Sequence, residues 1–195
     1  MYSQVRILLV GVLMLLASCG DHSAFKGREI DPAYPAPTFS SQNWDGQNFS
    51  LVDQRGKVVL LTFGYTFCPD ICPFTLRRLS SVLDQLGDRA NQVAVVFVSV
   101  DPERDTTEKL SNYLPGFNSQ IYGLRPDGGA AASLFKNYDI KVAKHIPSGP
   151  ENPYYVVDHT GDIFVIDTHG QLRLTHPHDT TGEAILADVI TLLDQ

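Results

Sequence analysis

The sequence predicts an α/β fold, a sandwich in which a central mixed sheet is flanked by helices, with an N-terminal β-hairpin extension. Three observations carry that expectation. Residues 57–64 (KVVLLTFG) and 93–100 (VAVVFVSV) are unbroken β-branched and apolar runs, the pattern of central strands covered on both faces. Between them Leu76, Leu79, Val82, Leu83 and Leu86 recur at helical spacing until Gly87, which makes a strand-helix-strand unit. The C-terminal third then holds short strand-like runs and one closing helical segment.

Length and composition fit one domain. The chain has 195 residues, 43% hydrophobic and 19% charged, enough for a substantial core and too short for two generous domains. Residues 39–51 alternate around Asp45-Gly46, a two-residue hairpin turn, just after a domain start near Thr38. Pro73 suits a first helical position and opens the main helix. Asp105 followed by Glu108 has the spacing of a capping box and predicts a second helix, and residues 130–138 make a third. Strands are expected at 154–158, 163–167 and 172–175, with His169-Gly170 in the last turn and a terminal helix over 181–193. This order of elements is that of a thioredoxin-like sandwich. Such a scaffold hosts reductases, peroxidases and metal carriers, so function must be read from the site.

Residues 1–18 read as a lipoprotein signal peptide. Arg6 precedes an apolar stretch at 7–17 that is short for a bilayer span. Leu16-Ala17-Ser18-Cys19 resembles the bacterial lipobox, in which a peptidase cuts before the cysteine and its sulfur carries a diacylglycerol. The alternative is an uncleaved anchor helix. On the lipobox reading Cys19 is the lipidated residue, residues 19–37, with Pro32, Pro35 and Pro37, form a flexible tether, and residues 38–195 form the domain. The domain is then held at a membrane on its extracytoplasmic, periplasmic side.

Lys and Arg number 15 against 22 Asp and Glu, a formal net charge of -7, and no basic run offsets it, which excludes a nucleic-acid binder. Three cysteines are too few for a disulfide scaffold. With Cys19 consumed by lipid, Cys68 and Cys72 remain as a close pair. Stray thiols outside the cytoplasm are oxidised or scavenged, so an isolated pair there is structural, redox-active or metal-binding.

The pair lies in GYTFCPDICP at 64–73, between a buried strand and a helix start, where unsatisfied amides and the helix dipole favour thiolate. A static disulfide across so short a loop would constrain little chain entropy, and a closed structural zinc site would need two further protein ligands. Two thiolates with one imidazole make a three-coordinate soft site suited to Cu(I), which a water or carboxylate would complete for Cu(II).

The histidines are distinguished by where they fall. His22 belongs to the tether, His169 to a turn, and His176 and His178 to a surface loop after the last strand. His145 lies in residues 141–153, a proline- and glycine-rich stretch read as a mobile loop, and is held in reserve. His159 stands at the exit of the strand at 154–158, on the loop side where such folds build their sites, and is the expected third ligand. Asp158 is a candidate to orient that imidazole, and Asp70 a loop acceptor or transient fourth ligand. Tyr65, Phe67 and Phe74 are read as core and rim packing that also keeps water off a metal.

Three ordered motifs, TFCPDICP at 66–73, SVDPERDT at 99–106 and VDHTGDIFVID at 157–167, together resemble the Sco/SenC family of copper-binding cytochrome c oxidase assembly factors. The resemblance covers the chain from about Pro37 onward. It implies a thioredoxin-like domain tethered outside the cytoplasm, copper held by Cys68, Cys72 and His159, a periplasmic copper donor, and the copper-bearing subunit of cytochrome c oxidase as acceptor. Many relatives keep an uncleaved transmembrane helix where this chain carries a lipobox. Gly161 precedes FVID at 164–167 where thioredoxins place a proline that contacts a bound dithiol, which counts against a pure oxidoreductase. The rival reading is a thiol-disulfide reductase that keeps the oxidase copper-site cysteines reduced. It uses Cys68 and Cys72 as a catalytic redox pair and has no need of His159. A peroxidase is set aside, since Tyr65 and Leu61 stand where the peroxiredoxin pattern wants threonine or serine and proline.

Overall fold

The computed structural model describes residues 25–145 and 154–195; Cys19, His22 and the signal-peptide and lipidation readings lie outside them. One six-stranded mixed sheet runs in the order β1 (Arg28–Pro35), β10 (Gln171–His176), β9 (Ile163–Ile166), β4 (Val58–Gly64), β5 (Val93–Ser99) and β6 (Tyr122–Leu124). β4 (Val58–Gly64) and β5 (Val93–Ser99) are the two apolar runs, parallel neighbours with Val58 opposite Val93 and Gly64 opposite Ser99. Every residue of both is buried, which is why neither alternates in sequence. α1 (Ile71–Leu86) connects them and buries Leu76, Leu79, Val82, Leu83 and Leu86.

β6 (Tyr122–Leu124) extends the parallel half of the sheet. β9 (Ile163–Ile166) runs antiparallel to β4, and β10 (Gln171–His176) returns beside it through a turn in which Gly170 takes a φ of 79°. α4 (Gly182–Leu193), capped by the Thr181 hydroxyl, packs beside α1. α3 (Gly128–Asn137) covers the opposite face, where Phe135 and Tyr138 meet the ring of Phe63. The expected hairpin is formed by β2 (Ser40–Gln42) and β3 (Asn48–Ser50). It is docked on β6 by Asn43, which accepts from the Gly123 N–H at 2.8 Å, and by Trp44, whose indole donates to the Ile121 carbonyl at 2.9 Å.

Four elements depart from expectation. α1 begins at Ile71 and takes Pro73 as its third residue, where the missing N–H is one that a helix leaves unpaired anyway. α2 (Thr107–Tyr113) is capped by Thr106, which accepts from the Lys109 N–H, while Asp105 turns inward. Residues 28–35, read as tether, form edge strand β1 (Arg28–Pro35) along β10. Its prolines are tolerated on an edge, and its exposure leaves no hydrophobic pattern to read. Within the stretch read as a mobile loop, β7 (Val142–His145) pairs antiparallel with β8 (Val156–His159), Val142 opposite His159 and His145 opposite Val156; residues 146–153 lie outside the described residues. No helix among the described residues is long and apolar enough to cross a membrane.

Candidate functional site

Two chain segments meet at the C-terminal end of β4. The first leaves the strand through Gly64 and Tyr65, carries Cys68 in the following turn, and enters α1 with Cys72 in its first turn. Gly64 makes room for this approach, because a Cβ there would stand 2.9 Å from Cys72 Sγ and 2.7 Å from the Phe97 ring. Cys72 is buried and Cys68 partly exposed, and both are free thiols. Cys68 Sγ accepts a hydrogen bond from the Cys72 N–H at 3.4 Å, so the open end of the helix is turned onto that sulfur. The Cys72 thiol donates to Cys68 and holds its pKa well below the ordinary thiol range, with the amides of Cys72 and Asp70 adding to the effect. Cys72, which keeps its proton for Cys68 and is desolvated by burial, is pushed the other way. The pair thus presents an accessible thiolate backed by a buried thiol.

The second segment is β8. His159, its last residue, brings Nε2 to 3.6 Å from Cys72 Sγ. The other ring nitrogen, Nδ1, donates to the Thr160 carbonyl at 2.9 Å, which leaves the Nε2 lone pair facing the sulfurs. The Tyr65 ring lies edge-on to the imidazole, with centroids 6.0 Å apart. The structure therefore brings together Cys68, Cys72 and His159, residues separated by up to 91 positions in the chain.

The remaining candidates fall elsewhere. Asp158 does not orient His159; successive strand residues face opposite ways, and its carboxylate instead lies 2.7 Å from Nε2 of the reserve candidate His145, both exposed. His176, read as a surface-loop residue, is fully buried, because the alternation of β10 through Leu172 and Leu174 continues to it. His178 packs against Gly161, and His169 sits in the turn between β9 and β10. Asp70 is exposed at the N-cap of α1 and its side chain makes no capping hydrogen bond. Tyr65 is buried, whereas Phe67 and Phe74 are half exposed, each beneath a cation: Lys109 at 4.5 Å and Arg77 at 5.4 Å.

Residues that the sequence reading did not tie to the site, Asp105 having been taken for a helix cap, cluster in the 99–106 loop. Asp105, fully buried, accepts from the Thr66 N–H at 3.1 Å, from the Thr66 hydroxyl at 2.6 Å and from the Ser99 hydroxyl at 2.7 Å. It thereby pins the start of the Cys68 turn, and burial raises its pKa. Asp101, also buried, accepts from the Tyr155 hydroxyl at 2.7 Å and pairs with Arg104. The motif signalled them, yet nothing local tied them to the cysteines or the histidine.

Two sulfurs and one nitrogen suit a soft first-row ion. Donors held at roughly 2.3 Å for sulfur and 2.0 Å for nitrogen, at near-tetrahedral angles, stand roughly 3.6 Å apart, the separation of Cys72 Sγ and His159 Nε2. The donors are neighbours without yet being closed: among the described residues, no three His, Cys, Asp or Glu side chains already form a metal-holding cluster. Closure asks for loss of the shared thiol proton and rotation of side chains.

The SCO1/SenC family model matches residues 28–194, the whole sheet and its helices. The chain belongs to the SCO1/SenC family. A Sco relative, the mitochondrial SCO2 homologue of Bos taurus, is 35% identical over 156 residues, 73% of this chain and 57% of that protein. The chain spans about half the length of such relatives, 44% in the case of SCO2 from Saccharomyces cerevisiae. Among solved Sco structures, ScoI of Bradyrhizobium japonicum with copper bound is similar with a TM-score of 0.74 and 32% identity, covering 82% of this chain and 100% of that one. Apo Sco1 from Thermus thermophilus is similar with a TM-score of 0.77 and 33% identity, covering 89% and 100%. Homologous Sco domains of this thioredoxin-like fold thus hold copper.

Proposed function

We propose that this protein is a membrane-tethered, extracytoplasmic copper chaperone, lipidated on Cys19, that binds copper through Cys68, Cys72 and His159 and delivers it during assembly of the binuclear copper centre of cytochrome c oxidase. Copper is the cargo. The observation that carries the reading is His159 Nε2 at 3.6 Å from Cys72 Sγ with Nδ1 already engaged, which presents an imidazole lone pair to a dithiol. The copper held by the 32% identical ScoI supports the metal, and the description of the Sco family as cytochrome c oxidase assembly proteins supports the acceptor.

Cys68 is the entry ligand, being the accessible thiolate. The proton on Cys72 leaves to solvent as its sulfur becomes the second donor, and His159 supplies the third. Release follows by ligand exchange: a cysteine or histidine of the acceptor enters as one of the three leaves, with no change in oxidation state. Anaerobic Cu(I) titration tests the ligand set. His159→Ala is expected to weaken binding by more than the roughly tenfold typical of losing an outer-shell partner, while Cys68 and Cys72 still form a disulfide. Unchanged affinity overturns the assignment.

One observation favours a second reading, a thiol-disulfide reductase acting on the oxidase cysteines: the split between an accessible Cys68 and a buried Cys72 is what attack and resolution by a dithiol require. The two readings part at His159, which the reductase does not use. Copper-free protein with full reductase turnover in His159→Ala supports the enzyme.

A further inference from the structure

β8 carries His159 yet belongs to the two-stranded β7–β8 ribbon, which among the described residues shares no ladder with the six-stranded sheet. A ligand on such a ribbon is placed only as well as the ribbon is tied down. Tyr65 Oη accepts from the Val157 N–H at 3.2 Å. Arg104 Nη1 donates to the Tyr155 carbonyl at 2.8 Å, and the Tyr155 hydroxyl donates to Asp101 Oδ1 at 2.7 Å. An exposed ion pair, Lys144 with Glu103 at 2.7 Å, adds a contact that solvent screens. Three of these four ties run to the 101–104 turn, the same loop whose Asp105 pins the Cys68 turn.

Arg104 is the centre of the arrangement. Its Nε pairs with the fully buried Asp101, whose charge needs that partner. Its guanidinium lies 3.5 Å from the Tyr155 ring centroid and 4.9 Å from that of Phe67, the residue before Cys68. Nη2 is buried with no hydrogen-bond partner among the described residues, and the rings and two oxygens hold the flat cation. One side chain therefore touches the turn that carries the thiols and the lead-in to the strand that carries the imidazole.

We infer that Arg104, acting with Asp101 and Tyr155, is the positioning residue for His159, setting how far the imidazole stands from the two thiols and hence whether a bound ion meets two donors or three. The inference rests on the copper-site reading above. Arg104 touches no metal donor; it acts on the ribbon. Lysine keeps the charge but lacks the flat fork, so Arg104→Lys restores the role only in part.

The test is a thermodynamic cycle of anaerobic Cu(I) affinities on the full chain, with wild type, Arg104→Gln, His159→Ala and the double variant. Arg104→Gln is expected to weaken copper binding about tenfold and to remove the nitrogen scatterer from the copper X-ray absorption spectrum. The double variant is expected to bind no more weakly than His159→Ala. Tyr155→Phe, which removes one hydroxyl, repeats the cycle with a gentler change and is expected to shift affinity in the same direction by less. Equal weakening in the presence and absence of His159 overturns the inference, because the arginine then acts on the thiols or the fold. Wild-type affinity in Arg104→Gln beside a weakened His159→Ala overturns it as well, leaving the copper reading intact. Wild-type affinity in His159→Ala alone removes the ligand set and the positioning role with it.

Discussion

Gly64 and Cys72 are in direct contact through the hydrogen that stands where a side chain would be: a Cβ at Gly64 would lie 2.9 Å from Cys72 Sγ. The end of the central strand is thus pressed against the first turn of α1, and backbone fixes where the buried sulfur sits. Gly64→Ala is expected to overpack this contact by about 1–3 kcal/mol and to push Cys72 off its place beside His159. Both the urea midpoint and the Cu(I) affinity should fall. A variant that keeps both would show that the sulfur is not seated by the strand.

The two thiols should differ in reactivity because one is accessible and hydrogen-bonded by the helix amide while the other is buried. With limiting iodoacetamide under anaerobic conditions, mass spectrometry is expected to place the first label on Cys68. Cys68→Ser should abolish the fast phase and Cys72→Ser should retain it. Equal labelling of the two positions would contradict the asymmetry that both functional readings use.

Legibility followed the range of the interaction that decides each element. β4 and β5 were readable because strands buried on both faces are apolar throughout. β1 was not, since it is an exposed edge strand holding prolines, defined only by its pairing with β10. β7 is a four-residue, largely exposed strand whose partner β8 begins only at Val156, so no local pattern announced it. His159 could be picked out because the exit of a strand places a residue at a known end of the sheet. Arg104 could not, because Tyr155 is 51 residues away and their contact exists only in the folded chain. His176 was misread by a single residue: β10 runs one position past the expected end, and that step puts the imidazole in the core.

Burial of His176 gives stability a pH dependence of definite sign. The ring is fully enclosed, and its pKa is lowered by desolvation, against the opposing pull of Asp188. Asp188 Oδ2 lies 3.2 Å from Nε2 without a hydrogen bond between them, and the carboxylate accepts from the Lys26 N–H at 2.7 Å and the Gly27 N–H at 2.8 Å. The unfolded chain takes up a proton on this residue near pH of about 6.5, while the folded chain resists it to lower pH. Below that point the unfolded state binds more protons, so stability falls as the pH falls. Urea midpoints measured from pH 7.5 down to about 5 should drop more steeply for wild type than for His176→Gln. Parallel slopes would mean that the histidine takes up its proton in the fold as readily as in the unfolded chain.

Asp105 should matter to the Cys68 turn more than to the His159 ribbon. Its carboxylate is the acceptor for the Thr66 amide, the Thr66 hydroxyl and the Ser99 hydroxyl, and among the described residues no other group accepts from those three donors. Asp105→Ala would leave them facing a buried void, a loss of about 2–3 kcal/mol. The turn carrying Cys68 begins at Thr66, so its release should be local. Amide exchange at Thr66 and Cys68 is expected to quicken beyond what the drop in global stability accounts for, while the Val157 amide, held by Tyr65, follows the global change alone. Exchange that rises equally at all three amides would assign Asp105 to the core as a whole and deny it a special hold on the thiol turn.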